Sequence, residues 1–258
     1  MNKLFFKTFI FLMKIIQIFL LLNKGTKIFI NCHSIITLII QGKGNQKILY
    51  NEFPTSPSEI RVNGVINNCD KTCELQNDIN NITLIFNYEI ASCQKMFYSL
   101  ENITEVDLSN FNCSRINDVS SMFYGCSNLE KINFGNIDTF SVNYISSIFM
   151  GCSKLTSIDL SKFDISRVTD MSYMFYRCSN LENINFGNIL ASSVQEMISI
   201  FEGCSKLTSI DLSIFNTKKV NVMKDMFYGC SNLKIINFSN IDTSFVIDMS
   251  SMFRACSK

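Results

Sequence analysis

Eleven cysteines and a single histidine are the residues with the most chemical reach in this chain of 258. Six of the cysteines stand at 126, 152, 178, 204, 230 and 256, each 26 apart. A reactive or metal-binding thiol needs a base or further ligands around it, and one repeating position supplies neither. At the head of this column Leu100 takes the cysteine's place. A position that accepts leucine is apolar and buried. The column, together with Cys93 in the column of Val119, Ile145 and Met171, is therefore expected to hold free buried thiols. Disulfides within the column are disfavoured, because neighbouring side chains would run parallel. Cys32, Cys69, Cys73 and Cys113 remain. In an exported protein they could form two disulfides, with three possible pairings. Cys69-Asp-Lys-Thr-Cys73 has neither zinc-site spacing nor a second pair, and Phe-Ile-Asn before Cys32 is a poor lipid-attachment signal.

His33 is alone, so no histidine-based triad can form, and Gly42-Lys-Gly44 is far from a phosphate loop. The acids occupy strand and turn positions without a catalytic pair. No enzyme activity, cofactor or metal is expected. Asn81, Asn102, Asn112 and Asn237 head Asn-x-Ser/Thr triplets and are candidate glycosylation sites in a host that glycosylates.

The element that must hold these columns is a 26-residue unit. Phenylalanines recur at 97, 123, 149, 175, 201, 227 and 253, again 26 apart. In the unit that starts at Cys152, Ile158 and Leu160 have the period of a strand, with 157, 159 and 161 pointing the other way. Met171, Met174, Phe175 and Cys178 follow at i, i+3, i+4 and i+7, the spacing of one face of a short helix. Asp170 precedes them as a cap, as do Asp118 and Asp248. The unit reads as strand, turn, short helix, turn. One such coil buries too little to fold alone, so the expected fold is an α/β solenoid of stacked coils.

A superperiod of 52 residues lies over the repeat. Units with Ile-Asp-Leu alternate with units with Ile-Asn-Phe, which gives the exposed strand column Asp107, Asn133, Asp159, Asn185, Asp211, Asn237. With strands about 4.8 Å apart, the alternation moves carboxylates to about 10 Å and places an amide donor between them. Two readings follow: a polar ladder that satisfies itself, or a strip that binds a ligand or cation.

The motifs Met-Phe-Tyr-Gly-Cys-Ser-Asn-Leu (122–129), Leu-Thr-Ser-Ile-Asp-Leu-Ser-Lys-Phe-Asp (155–164) and Val-Thr-Asp-Met-Ser-Tyr-Met-Phe (168–175) resemble the BspA-like leucine-rich-repeat surface proteins with 26-residue repeats. The resemblance covers about residues 92–258. It implies a curved leucine-rich-repeat-like solenoid, a cell-surface or secreted location and adhesion or partner binding. It supplies no catalytic residues. Phe163 departs from the leucine-rich-repeat pattern by standing at the position of its asparagine, so the turn there should be packed by apolar stacking. Residues 35–91 resemble the lead-in before such repeats, with strands at 36–42 and 58–64.

Met1–Lys3 is a short basic start and Leu4–Leu22 is almost wholly apolar. Residues 1–25 are read as a signal peptide or signal-anchor, 26–91 as a β-rich N-terminal cap, and 92–258 as the repeats. Cleavage near Gly25 removes four lysines, so the 23 basic residues become 19 against 22 acids and net charge moves from +1 to −3. No basic cluster suggests a nucleic acid partner. Membrane contact is expected only through the N-terminal segment or an anchor beyond Lys258, because the chain stops there without a polar cap. The expected function is a secreted or cell-surface scaffold that binds proteins or surface and matrix components through its strand face. Alternatives are a structural coat, given possible self-association, or a receptor ectodomain.

Overall fold

A computed structural model of the protein describes residues 34–187 and 191–256. The segment expected to be a signal peptide or signal-anchor, Cys32 and His33 lie outside these residues.

Ser34–Gln41 (β1) alternates strictly, and its Ile36, Leu38 and Ile40 are buried. Alternation is what a strand with one face on a core requires. After Gly44–Lys47 (β2) come Glu59–Val62 (β3) and Val65–Asn67 (β4), joined by a tight turn with Asn63 and Gly64 both at positive φ. Asparagine and glycine are the residues that such a hairpin turn selects. Thr72–Leu75 (β5) pairs antiparallel with β2, and Ile79–Phe86 (β6) pairs antiparallel with both β1 and β3.

Ile103–Asn110 (β7) is the strand of the first coil, and it also pairs antiparallel with β1. Lys131–Asn133 (β8) then pairs parallel with β7. The lead-in and the first two coils therefore share one six-stranded sheet, ordered β4-β3-β6-β1-β7-β8. Ser157–Asp159 (β9), Asn183–Asn185 (β10), Ser209–Asp211 (β11) and Ile235–Asn237 (β12) continue the column in three-residue strands.

The expected α/β, leucine-rich-repeat-like solenoid of strand–turn–short-helix coils is overturned. No helix occurs among the described residues; the elements are short strands in small sheets. Among the described residues no helix is therefore long and apolar enough to cross a membrane. The reason lies in the backbone hydrogen bonds of the segment read as a helix. The amides of Met171, Tyr173, Phe175 and Arg177 donate to the carbonyls of Glu196, Ile198, Ile200 and Glu202, all one coil further on. The amides between them donate three residues back: Met174 to Met171, Tyr176 to Tyr173, and Cys178 to Phe175. No i→i−4 ladder can form when alternate amides leave the segment. Tyr173 and Arg177 also have φ of 61° and 56°, which no right-handed helix tolerates. The segment is a ribbon of consecutive turns laid against the next coil.

Asp170 acts as a turn residue and not as a helix cap. Its carboxylate accepts the Ser172 amide at 2.7 Å, and Asp118 and Asp248 accept from Ser120 and Ser250 at 2.8 Å.

The ribbons stack in register. Phe97, Phe123, Phe149, Phe175, Phe201, Phe227 and Phe253 form one row, with successive centroids 5.4 to 5.9 Å apart. Those from Phe97 to Phe227 are fully buried.

The strand side behaves differently. Parallel pairing joins β7 to β8, β9 to β10 and β11 to β12, but not β8 to β9 or β10 to β11. The alternation of Leu and Phe explains this. At the unpaired boundaries Phe134 meets Phe163 edge-on at 4.8 Å, and Phe186 meets Phe215 at 5.1 Å. The larger ring fills the wider gap. Within a pair, Gly135 packs so tightly on Ser109 that a Cβ there would lie 2.6 Å from the serine Cα. The 52-residue superperiod is thus a pairing of coils.

Candidate interaction surface

The six residues of the strand column are held largely by their own neighbours. Asp107, Asp159 and Asp211 each accept the amide of the serine two residues on, at 2.8 Å. The Asn133 amide group donates to the Asp107 carboxylate at 3.3 Å, and that of Asn185 to Asp159 at 3.1 Å. The asparagine carbonyls accept in turn from the amides of Gly135, Gly187 and Ser239. The column is brought together within the coil pairs, while no such bond joins Asn133 to Asp159 or Asn185 to Asp211.

Hydrogen bonds from Ser161, and then from Asn185, hold the Asp159 carboxyl below the usual carboxylate value, and Ser213 does the same for Asp211. At Asp107 partial burial works in the opposite direction. Bonds from Ser109 and Asn133 and the charge of Lys131 outweigh it, so this carboxyl is also lowered.

A second column on the same face makes fewer internal contacts. Glu105, Lys131, Ser157, Asn183, Ser209 and Ile235 are all exposed, two residues before the Asp/Asn column. Their outward direction was readable from strand alternation, but the regular Asp/Asn pattern was the more conspicuous signal. Where this face joins the lead-in sheet, Thr37, Ile39, Glu105, Asp107, Lys131 and Asn133 line an open groove of about 350 Å³. Its floor follows from register, since Thr37 lies opposite Asp107, and Asp107 opposite Asn133. Lys131 and Glu105 face each other across it at 3.9 Å.

The cysteines divide cleanly. Cys69 and Cys73 form a disulfide with Cα atoms 5.2 Å apart. Cys113, expected in a second bridge, is a free buried thiol beside the Phe111 carbonyl. It has no cysteine partner among the described residues. Burial pushes the Cys113, Cys126, Cys178 and Cys230 thiols up to about 12. Among the sequons, Asn81 and Asn112 are exposed. The Asn102 amide group is engaged with Gln46 and the Lys47 carbonyl, and Asn237 accepts from Ser239.

Fold and surface together define a repeat protein whose 26-residue coils pair on the strand side and stack continuously on the ribbon side. The family model described as "Mycoplasma protein of unknown function, DUF285" matches residues 91–209 and 180–258, and the chain belongs to this family. No curated protein and no solved structure matches the chain.

Proposed function

We propose that the protein is a secreted or cell-surface scaffold that binds proteins or matrix components through its strand face, without catalysis of its own. The observation that carries this reading is the exposed column from Glu105 to Ile235 with the groove at its head. These side chains are set at a fixed spacing by the strands, and the fold makes little use of them. A rigid platform of this kind lowers the ordering cost of binding. The basic, then apolar, start of the chain and the resemblance to BspA-like surface proteins support export. The Asp/Asn column braces the coil pairs, and its outer carboxylate oxygens add negative charge beside the contact residues.

The test is surface plasmon resonance against immobilised extracellular-matrix proteins, comparing the native chain with the combined Lys131→Ala, Asn183→Ala, Ser209→Ala variant. Binding should weaken by about tenfold or more while the unfolding midpoint stays put, because exposed substitutions shift stability by only about 0.5 kcal/mol. Unchanged affinity for every bound matrix protein would remove the strand face from the reading.

A further inference from the structure

Repetition within the chain supplies a comparison for every position: what the other coils carry there. Among the described residues between 89 and 234, the large apolar side chains left exposed are Phe140, Tyr144 and Tyr173, at 53%, 56% and 38%. All three lie in the two adjacent coils that span 126–177. At the position of Phe140 the other coils have Ser114, Ser166, Ser192 and Ser244, with Lys218 the exception. At that of Tyr173 they have Ser121, Ser147, Ser199 and Ser251, besides Lys95 and Asp225. The fold at these positions therefore asks for a small or polar residue.

Arg177 departs further. It has φ of 56° where Gly125, Gly151, Gly203 and Gly229 serve in other coils and the small Ser99 and Ala255 in the outermost ones. Tyr173 shares the left-handed conformation at 61°. Every coil holds a non-glycine residue at positive φ in the Tyr173 column, from Lys95 and Ser121 to Ser251, so what sets Tyr173 apart is its size; at Arg177 the two adjacent coils avoid the strain with Gly151 and Gly203, which marks this position as kept for something other than folding. The side chains form two contact groups. The Arg167 guanidinium lies 4.3 Å from the Phe140 ring centre, and that of Arg177 5.0 Å from the Tyr176 ring centre. The Tyr173 ring meets Tyr176 edge-on at 5.9 Å. Neither arginine has a carboxylate within ion-pair distance among the described residues.

We propose that the two aromatic–arginine groups on coils 126–177 serve together as a docking site for a protein segment that presents carboxylates beside apolar side chains. Tyrosine and arginine are among the residues that dominate binding energy at protein interfaces, and phenylalanine is enriched there. The guanidiniums, over rings and outside ion-pair distance of any described carboxylate, are available to carboxylates of a partner, and the rings offer area to apolar side chains. This site is separate from the strand face and does not depend on it.

The test replaces each residue by the one other coils already carry: Phe140→Ser, Tyr173→Ser and Arg177→Gly, singly and together, in the full chain. Fluorescence anisotropy follows a labelled peptide of alternating Glu and Leu, with its Gln–Leu counterpart and a heparin hexasaccharide as comparisons. The Glu–Leu peptide should bind the native chain, bind the triple variant about tenfold or more weakly, and lose affinity when Gln replaces Glu. Arg177→Gly alone should raise the thermal midpoint by about 2–4 °C, since glycine relieves the left-handed φ. Failure of the peptide to bind, or equal binding to the triple variant, overturns the proposal. So does a midpoint lowered in all three single variants, which would assign these residues to the fold. Binding of the hexasaccharide in place of the peptide would make the patch an anion site and not a protein site.

Discussion

The thiol of Cys178 donates to the Phe149 carbonyl at 3.0 Å, and the pattern repeats from Cys126 on Phe97 to Cys256 on Phe227. Each of these carbonyls also accepts a turn amide inside its own coil, so the thiol is a second donor on an atom with two lone pairs. This accounts for Leu100 at the head of the column. No coil precedes it to offer a phenylalanine carbonyl, so an apolar side chain of similar size suffices. The same burial that favours the neutral thiol protects it chemically. Ellman's reagent at pH 8 is expected to leave Cys93, Cys113, Cys126, Cys152, Cys178, Cys204 and Cys230 unmodified in the folded protein. Half-buried Cys256 should react first among the described free thiols, and all should react in denaturant. Rapid labelling of Cys178 in the native state would contradict its buried position.

At the scale of the element, a glycine sets the close approach in two of the three coil pairs, Gly135 on Ser109 and Gly187 on Ser161, while Ser239 stands at that position in the third. Gly135→Ala would place a methyl 2.6 Å from the Ser109 Cα at φ of 57°. The expected loss is about 2–3 kcal/mol, from both steric overlap and the backbone conformation. At Gly151 the nearest atom to such a methyl is 3.5 Å away, so Gly151→Ala should cost only the backbone share, about 1 kcal/mol. Urea denaturation of the two variants measures the difference, and equal losses would argue against the close approach.

The strands were legible in the sequence because period-two alternation at Ile158 and Leu160 has no rival explanation. The ribbon was not. The spacing of Met171, Met174, Phe175 and Cys178 brings all four inside, where they are buried, but consecutive turns produce that pattern as well as a helix does. The glycine before the column cysteine, at 125, 151, 203 and 229, was the available sign of left-handed backbone. The superperiod was visible in the Asp/Asn alternation. Its packing cause, Phe134 and Phe186 against Leu108, Leu160 and Leu212, lies in contacts between coils that the order of residues does not display.

At the scale of the whole molecule, six carboxyls among the described residues sit below their ordinary value of 3.8: Asp107, Asp159, Asp164, Asp211, Asp242 and Asp248. In four of them the hydrogen bond from the serine two residues on is the leading cause, and for Asp248 it is the Ser250 amide. At Asp107 partial burial opposes the shift and is outweighed. A carboxyl lowered by folding stabilises the folded state above its unfolded value, and that contribution is lost as pH falls through the folded one. The urea midpoint should therefore be level above about pH 5 and fall steadily toward about pH 3. Replacing Asp159 and Asp164 by Asn should flatten the slope. A profile that stays level down to about pH 3 would show that these bonds do not form in solution.

The pairing of coils also governs how such a molecule can change length over generations. A duplicated stretch of 52 residues inserts a complete pair, so every glycine still meets its serine and every Phe134-like ring still finds its gap. A duplicated or deleted stretch of 26 sets two coils of one kind side by side, with two wide boundaries or two narrow ones in succession. Size is then inherited in even steps, and the alternation along this chain is the trace of that rule.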